Sequence, residues 1–206
     1  MEIKIKRVEV GLTKENCYLI NCGEEAYLVD PGDDYLNIIE EFELDSYNLK
    51  AIINTHGHYD HIGAIADLKN QYNIPFLIHS ADKKIVSRGN LYKRTANDLG
   101  EFKTPKIDGY LDDVISLEIS NKQINIFHIP GHTPGCVCFE FSNSLIIGDV
   151  ILEHSTGRTD LPGGNQEQMK SSLRFISNRF ENYTIYPGHG TPFVLNNELL
   201  IKLKLK

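Results

Sequence analysis

No apolar run in the 206 residues approaches the ~18 to 20 consecutive positions that a bilayer-spanning helix needs. The opening "MEIKIKRVEVG" alternates charged and apolar residues and lacks the apolar stretch of a signal peptide, so the expected location is the cytoplasm. Positive charge is in deficit: Lys plus Arg number 21 against 28 Asp plus Glu, a formal net charge of −7 that repels nucleic acid and anionic membrane alike. No basic patch of useful size offsets it, and the tail "IKLKLK" reads as a solvated amphipathic end. Cysteine is sparse, with four residues and no C-x-x-C pair. Cys136 and Cys138 stand two apart and share one face of a strand, a poor geometry for a disulfide, so reduced and buried thiols are expected. Repeats and low-complexity tracts are also missing. With 41% hydrophobic and 24% charged residues, the chain suits one globular domain over residues 1–206.

The pattern along the chain is strand-rich at first, with "IKIKRVEV" (3–10), "CYLINC" (17–22) and "AYLVD" (26–30) separated by the turn signals "CGEE" and "PGDD". A helix is expected over 35–42, a short buried strand over 51–54, and a helix opening at His61 in "HIGAIADLKN". "PFLIH" (75–79) reads as a strand and Ser80 as the cap of a short helix, and residues 88–112 as a long surface excursion carrying one helix. The second half repeats the style with "VISLEI", "QINIFHI", "CVCFEF" and "SLIIG", a polar insertion over 153–165, a helix over 166–178, the strand "YTIY" and a last helix over 195–204. Strands followed by helices, twice over, predict two sheets packed face to face with helices outside.

Chemistry concentrates in "THGHYDH" (55–61), which sets three histidines and an aspartate behind the apolar run "AIIN". Imidazole nitrogen and carboxylate oxygen are ligands for zinc and iron, and a catalytic site needs several of them converging with one position open. His56 and His58 are spaced to aim both rings the same way, and Asp60 and His61 follow at once. Asp60 also suits a helix N-cap, a role that leaves the neighbouring histidines unexplained. Three further loops, each just after a strand, supply the other half: His132 in "FHIPGHTPG", Asp149 in "SLIIGDV" and His189 in "YTIYPGHGTP". Strand ends position side chains tightly enough for such loops to share an ion.

"THGHYDH", "PGHTPG", "GDV" and "PGHG", in this order, resemble the metallo-β-lactamase fold. "GDVILEHSTGRTDLPGGN" resembles its short glyoxalase II-like (hydroxyacylglutathione hydrolase-like) branch and the persulfide dioxygenase relatives. The likeness runs from the first strand to His189 and implies an α/β fold, an αββα sandwich of two mixed sheets with the metal site along one edge. It assigns His56, His58 and His132 to a first metal, Asp60, His61 and His189 to a second, and Asp149 to both. The dioxygenase relatives keep much of this constellation with a single iron on positions matching His56, His132 and Asp149. Arg158 matches an arginine recurrent in the branch and is expected to brace the insertion by pairing with a carboxylate or carbonyls, with substrate contact second. His154 is a candidate substrate or outer contact, and His79 and His128 are expected to be structural.

Such a site implies two divalent cations, zinc, iron or manganese, that generate hydroxide from bound water and polarise a carbonyl. A thioester of a low-molecular-weight thiol suits it, because the thiolate leaves without a strong general acid, and Asp60 would orient the nucleophile and carry its proton away. The closest rival is a mononuclear non-heme iron persulfide dioxygenase. A lactonase is more distant, and the family's RNA-processing members need nucleic-acid-binding segments for which there is no room. Only seventeen residues follow His189, too few for the helical domain with which full-length glyoxalase II relatives hold glutathione, so the ester of another thiol, such as an acyl-coenzyme A, is an open expectation. A non-catalytic metal module would need closed coordination, which seven ligands shared by two ions do not impose.

Overall fold

Strand β2 (Glu15–Cys22) is buried at every position, so it carries apolar side chains on both faces. In the computed structural model, which describes residues 1–96, 98, 100 and 102–203, those faces serve different cores. Cys17 and Leu19 pack outward with Ile38, Phe42, Ile65 and Leu68, whereas Tyr18, Ile20 and Cys22 pack inward with Phe139 and Ile146 of the opposing sheet. A period of two in a strand buried on both sides is thus the local cause of a layered architecture.

The first sheet runs β1 (Lys4–Val10), β2, β3 (Glu25–Val29), β4 (Asn48–Ile53), β5 (Phe76–Ile78) and β6 (Gly109–Tyr110) in sequence order. Its first three strands are antiparallel, and β3 to β6 pair in parallel. The parallel steps are crossed by α1 (Tyr35–Phe42), α2 (Ile65–Tyr72), α3 (Lys83–Ser87) and α4 (Gly89–Thr95), and α1 and α2 cover the outer core. The second sheet is built from β7 (Ser116–Ile119), β8 (Lys122–His128), β9 (Val137–Phe141), β10 (Ser144–Gly148), β13 (Thr184–Pro187) and β14 (Phe193–Val194). There β10 and β13 are parallel, joined across a small hairpin of β11 (Ile151–Leu152) and β12 (Ser155–Thr156) and through α5 (Gln166–Arg179). Met169, Leu173 and Ile176 of α5 and Leu200 of α6 (Asn197–Lys202) close the outer core of this sheet. The result is the expected αββα sandwich of two mixed sheets.

Several boundaries differ from expectation. The helix after the histidine loop starts at Ile65, because Tyr59–His61 form a separate 3-10 turn, and neither Asp60 nor any other side chain caps α2. At residue 80 the cap is His79, whose Nδ1 accepts from the Ala81 amide at 3.2 Å, while the Ser80 hydroxyl donates to Asp112. The final helix is shorter than 195–204, and Lys204 lies outside the described residues. By contrast α5 starts where Asn165 lets it: Oδ1 accepts from the Glu167 and Gln168 amides, each at 3.0 Å. All four cysteines are free and buried, and burial raises the thiols of Cys17, Cys136 and Cys138 above their usual range, so they act as small apolar side chains. No helix among the described residues is long and apolar enough to cross a membrane.

Phe139 is fully buried between the sheets. Phe139→Ala is expected to destabilise the protein by about 3–5 kcal/mol in urea unfolding, whereas Leu12→Ala, at an 84% exposed position, should change stability by no more than about 0.5 kcal/mol.

Candidate metal centre

The two parallel pairs, β3–β4 and β10–β13, end at one rim, and the loops leaving them carry Asp30, His56, Asp149 and His189. Loops beyond the carboxyl ends of parallel strands are where α/β folds gather ligand-binding groups. Hydrogen bonds join the sheets there: the Asn16 amide donates to the Gly188 carbonyl at 2.8 Å and the Val137 amide to the Thr55 carbonyl at 2.8 Å. Gly188 is required by space, since a Cβ would sit 2.2 Å from Asp149 Oδ1 and 2.7 Å from His61 Cε1.

Three imidazoles meet on one side of this rim. His58 Nδ1 lies 3.1 Å from His56 Nε2 and 2.9 Å from His132 Nε2. The hydrogen-bond pattern around them assigns their protons. His132 Nδ1 donates to the Arg158 carbonyl at 2.8 Å. The Thr55 hydroxyl gives its hydrogen to Asp30, so it accepts from His56 Nδ1 at 3.0 Å. Both rings therefore turn an Nε2 lone pair toward His58, and His58 has one Nδ1 hydrogen at most to share between them. Burial pushes the His56 imidazole well below its usual range and His58 down to about 3, with the neighbouring rings adding to both, so protonation does not relieve the crowding. Spacings of this size match the ~2.9–3.4 Å edges of a cation with ~2.0–2.1 Å bonds to nitrogen.

On the other side, Asp60, His61 and His189 bring one ligand atom each within 4.8 Å of the others. His189 Nδ1 donates to the Thr13 carbonyl at 3.2 Å, leaving Nε2 3.5 Å from Asp60 Oδ2. His61 Nδ1 lies 3.2 Å from Asp30 Oδ2 and 3.4 Å from Glu15 Oε1, so its Nε2 is the atom that faces inward. Burial drives His61 toward neutrality, but Asp149, Glu15 and Asp30 outweigh it and raise the imidazole well above its usual range. The converse holds at Asp149, where burial favours the acid yet the charge on His61 holds the carboxyl well below the carboxylate range.

Asp149 links the halves. Its Oδ2 lies 3.7 Å from His61 Nε2, 3.7 Å from His132 Nε2 and 3.5 Å from His189 Nε2. Asp149 Oδ1 and His61 Nε2 are buried with no hydrogen-bond partner among the described residues, as are both Glu15 oxygens. Unpaired acceptors of this kind are costly unless something positive satisfies them, and the donor set of nitrogen and oxygen suits zinc or iron. The residues therefore fit one or two divalent cations.

Behind these side chains lie residues that carried no motif. Asp30 accepts from both the amide and the hydroxyl of Thr55 and braces His61, so it orients a ring in each half. Asp82 accepts from the Gly57 amide at 2.8 Å, the Gly135 amide at 2.7 Å and the Thr133 hydroxyl at 2.7 Å, which ties the loop of His56 and His58 to that of His132. Glu15 is fully buried against His61, and burial raises its carboxyl. Asp30 follows a strand in "LVDPG", which reads only as a turn, and Glu15 and Asp82 have no local signal at all.

Arg158 stands at the edge of a cavity over the centre, and its Nε and Nη2 donate to Asp160 at 2.9 and 2.8 Å. His154 is 72% exposed at the tip of the β11–β12 hairpin, with Nε2 3.8 Å from Glu153 Oε2, while its neighbours Leu152 and Ser155 line the cavity. His79 and His128 stack on each other at 4.1 Å, away from the centre.

A model of the metallo-beta-lactamase superfamily matches residues 10–189. The chain is 31% identical to hydroxyacylglutathione hydrolase GloC of Haemophilus influenzae over 208 residues, 95% of each protein. Among solved structures it is similar to BLEG-1 B3 metallo-beta-lactamase, with a TM-score of 0.85 and 29% identity over 93% of this chain and 94% of that one. It is also similar to TTHA1623 in a di-iron-bound form, with a TM-score of 0.84 and 28% identity over 96% and 97%.

Asp30→Asn is expected to weaken zinc binding about 10–100-fold in competition with a chelating dye. Stripping metal from the wild type with EDTA should lower the thermal midpoint, and restoring zinc at about 1,000 times its Kd should return about 4 kcal/mol.

Proposed function

The chain belongs to the metallo-β-lactamase superfamily, and on that footing we propose that it is a metal-dependent hydrolase of thioesters or related acyl compounds, active in a reducing compartment. In this reading His56, His58 and His132 hold one divalent cation, Asp60, His61 and His189 a second, and Asp149 serves both. The observation that carries it is the reach of one Asp149 oxygen to imidazole nitrogens of both groups, at 3.7 and 3.5 Å. Likeness to a protein named for hydroxyacylglutathione supports an acyl group on a thiol as substrate.

Bound cations of this type lower the pKa of water from ~15.7 toward ~7 and polarise a carbonyl oxygen. The remaining work falls to the chain. Asp60 lines the cavity with Oδ2 held by His189 Nε2 at 3.5 Å. Burial pushes its carboxyl up, but the bond to His189 and the charge of His61 outweigh that and leave it below the usual carboxylate range, so it is ionised and orients the water by accepting its hydrogen bond. The water oxygen bonds to the acyl carbon, the carbon–sulfur bond breaks, and the departing thiolate takes up a proton, giving a carboxylic acid and a thiol. His132, fixed through Arg158 O, and His189, fixed through Thr13 O, would keep their Nε2 atoms turned toward the cations.

A second reading has its own support. His56, His132 and Asp149 form a two-histidine, one-carboxylate set of the kind used by non-heme iron oxygenases, and TTHA1623, in its di-iron-bound form, supports iron as the metal while holding two ions. A single iron there would suit O₂-dependent oxidation of a persulfide, as in the dioxygenase relatives.

Metal content per chain and two assays separate the readings. About two metals with turnover of a thioester panel supports the hydrolase, and one iron with O₂ uptake dependent on glutathione persulfide supports the dioxygenase. His56→Ala is expected to abolish activity and His79→Ala to leave it nearly intact; equal losses would remove the distinction between ligand and structural histidines.

A further inference from the structure

The cavity over the centre has a volume of about 840 Å³, within the range of small-molecule sites. One wall carries the ligating side chains. The facing walls are apolar and come from two separate stretches: Leu91, Tyr92 and Ala96 of α4 and its end, and Leu152, Leu161 and Pro162 of the segment after Asp149. Leu91 is 58% exposed, so its side chain is held beside the cavity without being absorbed into a core. Arg158 is the one arginine or lysine among the described residues lining the cavity, and its Nε and Nη2 both point to Asp160 in an exposed pair. A glutathione thioester would bring two carboxylates to a single guanidinium that Asp160 already shares, whereas an alkyl group would bury against both apolar walls.

We infer that the preferred substrate is a thioester with an extended apolar acyl chain on an uncharged thiol end, selected by Leu91 of α4 and Leu161 of the opposite wall. This rests on the hydrolase reading. Burial of each added methylene against these walls raises kcat/KM about two- to fourfold, up to the length that fills the space.

The test uses zinc-loaded full-length protein with S-acyl N-acetylcysteamine thioesters from acetyl to octanoyl, beside S-lactoylglutathione. Binding of the matching non-hydrolysable S-alkyl thioethers is measured by calorimetry. Expected are a rise in kcat/KM from acetyl to hexanoyl, at least tenfold preference for hexanoyl over lactoylglutathione, and at least tenfold tighter binding of the S-octyl than the S-methyl thioether. Leu91→Asp and Leu161→Asp should flatten both series, and Leu36→Asp, at a 65% exposed site on α1, should leave them unchanged. Turnover and binding indifferent to chain length, or preference for lactoylglutathione, would overturn the inference while leaving the hydrolase intact. Thioethers that bind more tightly with length while no thioester is hydrolysed would sustain the apolar cavity and defeat the hydrolase.

Discussion

Imidazole lone pairs aimed at one another from about 3 Å repel unless a cation stands between them, and the rim of this sandwich is organised to keep them so aimed. His56 and His132 each commit Nδ1 to an acceptor outside the centre, and His189 does the same through Thr13. The usual escape, protonation, is closed to His56 and His58 by burial. The other half expresses the same demand in the opposite way, since Asp149, Glu15 and Asp30 lie around His61 and raise its imidazole well above the usual range against the effect of burial. A divalent cation between the halves would satisfy the facing Nε2 lone pairs of the first and, by displacing the proton on His61, the carboxylates of the second. Metal affinity and folding stability are coupled in such a site.

Holding that arrangement is the work of the fold. Four strands in two parallel pairs deliver their carboxyl ends to one edge, and two buried carboxylates tie the resulting loops together. Asp82 joins the two loops of the histidine trio through three hydrogen bonds, so removing it would free both at once. Asp30 acts across the trio and its neighbour, through Thr55 to His56 and directly to His61. Charge-assisted bonds of this sort are shorter and stronger than neutral ones. They explain how loop residues attain positions that would otherwise need a strand or helix.

The layering was legible because strands followed by helices, twice over, leave two sheets to pack face to face, and the candidate ligands could be picked out because histidine and aspartate recur beside glycine just after strands. Glu15, Asp30 and Asp82 were illegible for the converse reason. Each is a single acid in ordinary sequence whose meaning arises from partners 25 to 53 positions away, as Asp82 shows with Gly57 and Gly135. The start of α2 was misplaced because the apolar spacing begins at Ile62, in the turn of residues 62–64 that separates the 3-10 segment Tyr59–His61 from the helix at Ile65. The excursion over 88–112 reads as surface, yet α4 within it borders the cavity, and no periodicity in a short segment announces what it faces.

Separation of chemistry from selection follows from where these parts sit. The candidate ligands sit on loops that Asp30 and Asp82 tie together, so their geometry has little freedom to vary. The apolar walls come from α4 and from residues 152–162, which are tied to that frame through bonds such as Lys93 to Asp33, the Gly157 amide to the Val150 carbonyl and Thr191 to Glu153. A further tie is the Arg158 carbonyl, which orients His132 while the Arg158 side chain turns away to Asp160. A backbone atom does not change with the side chain it belongs to. The segment can therefore exchange side chains at Leu152, Leu161 or Pro162, and with them the group that fits, while the same carbonyl continues to hold His132 in place.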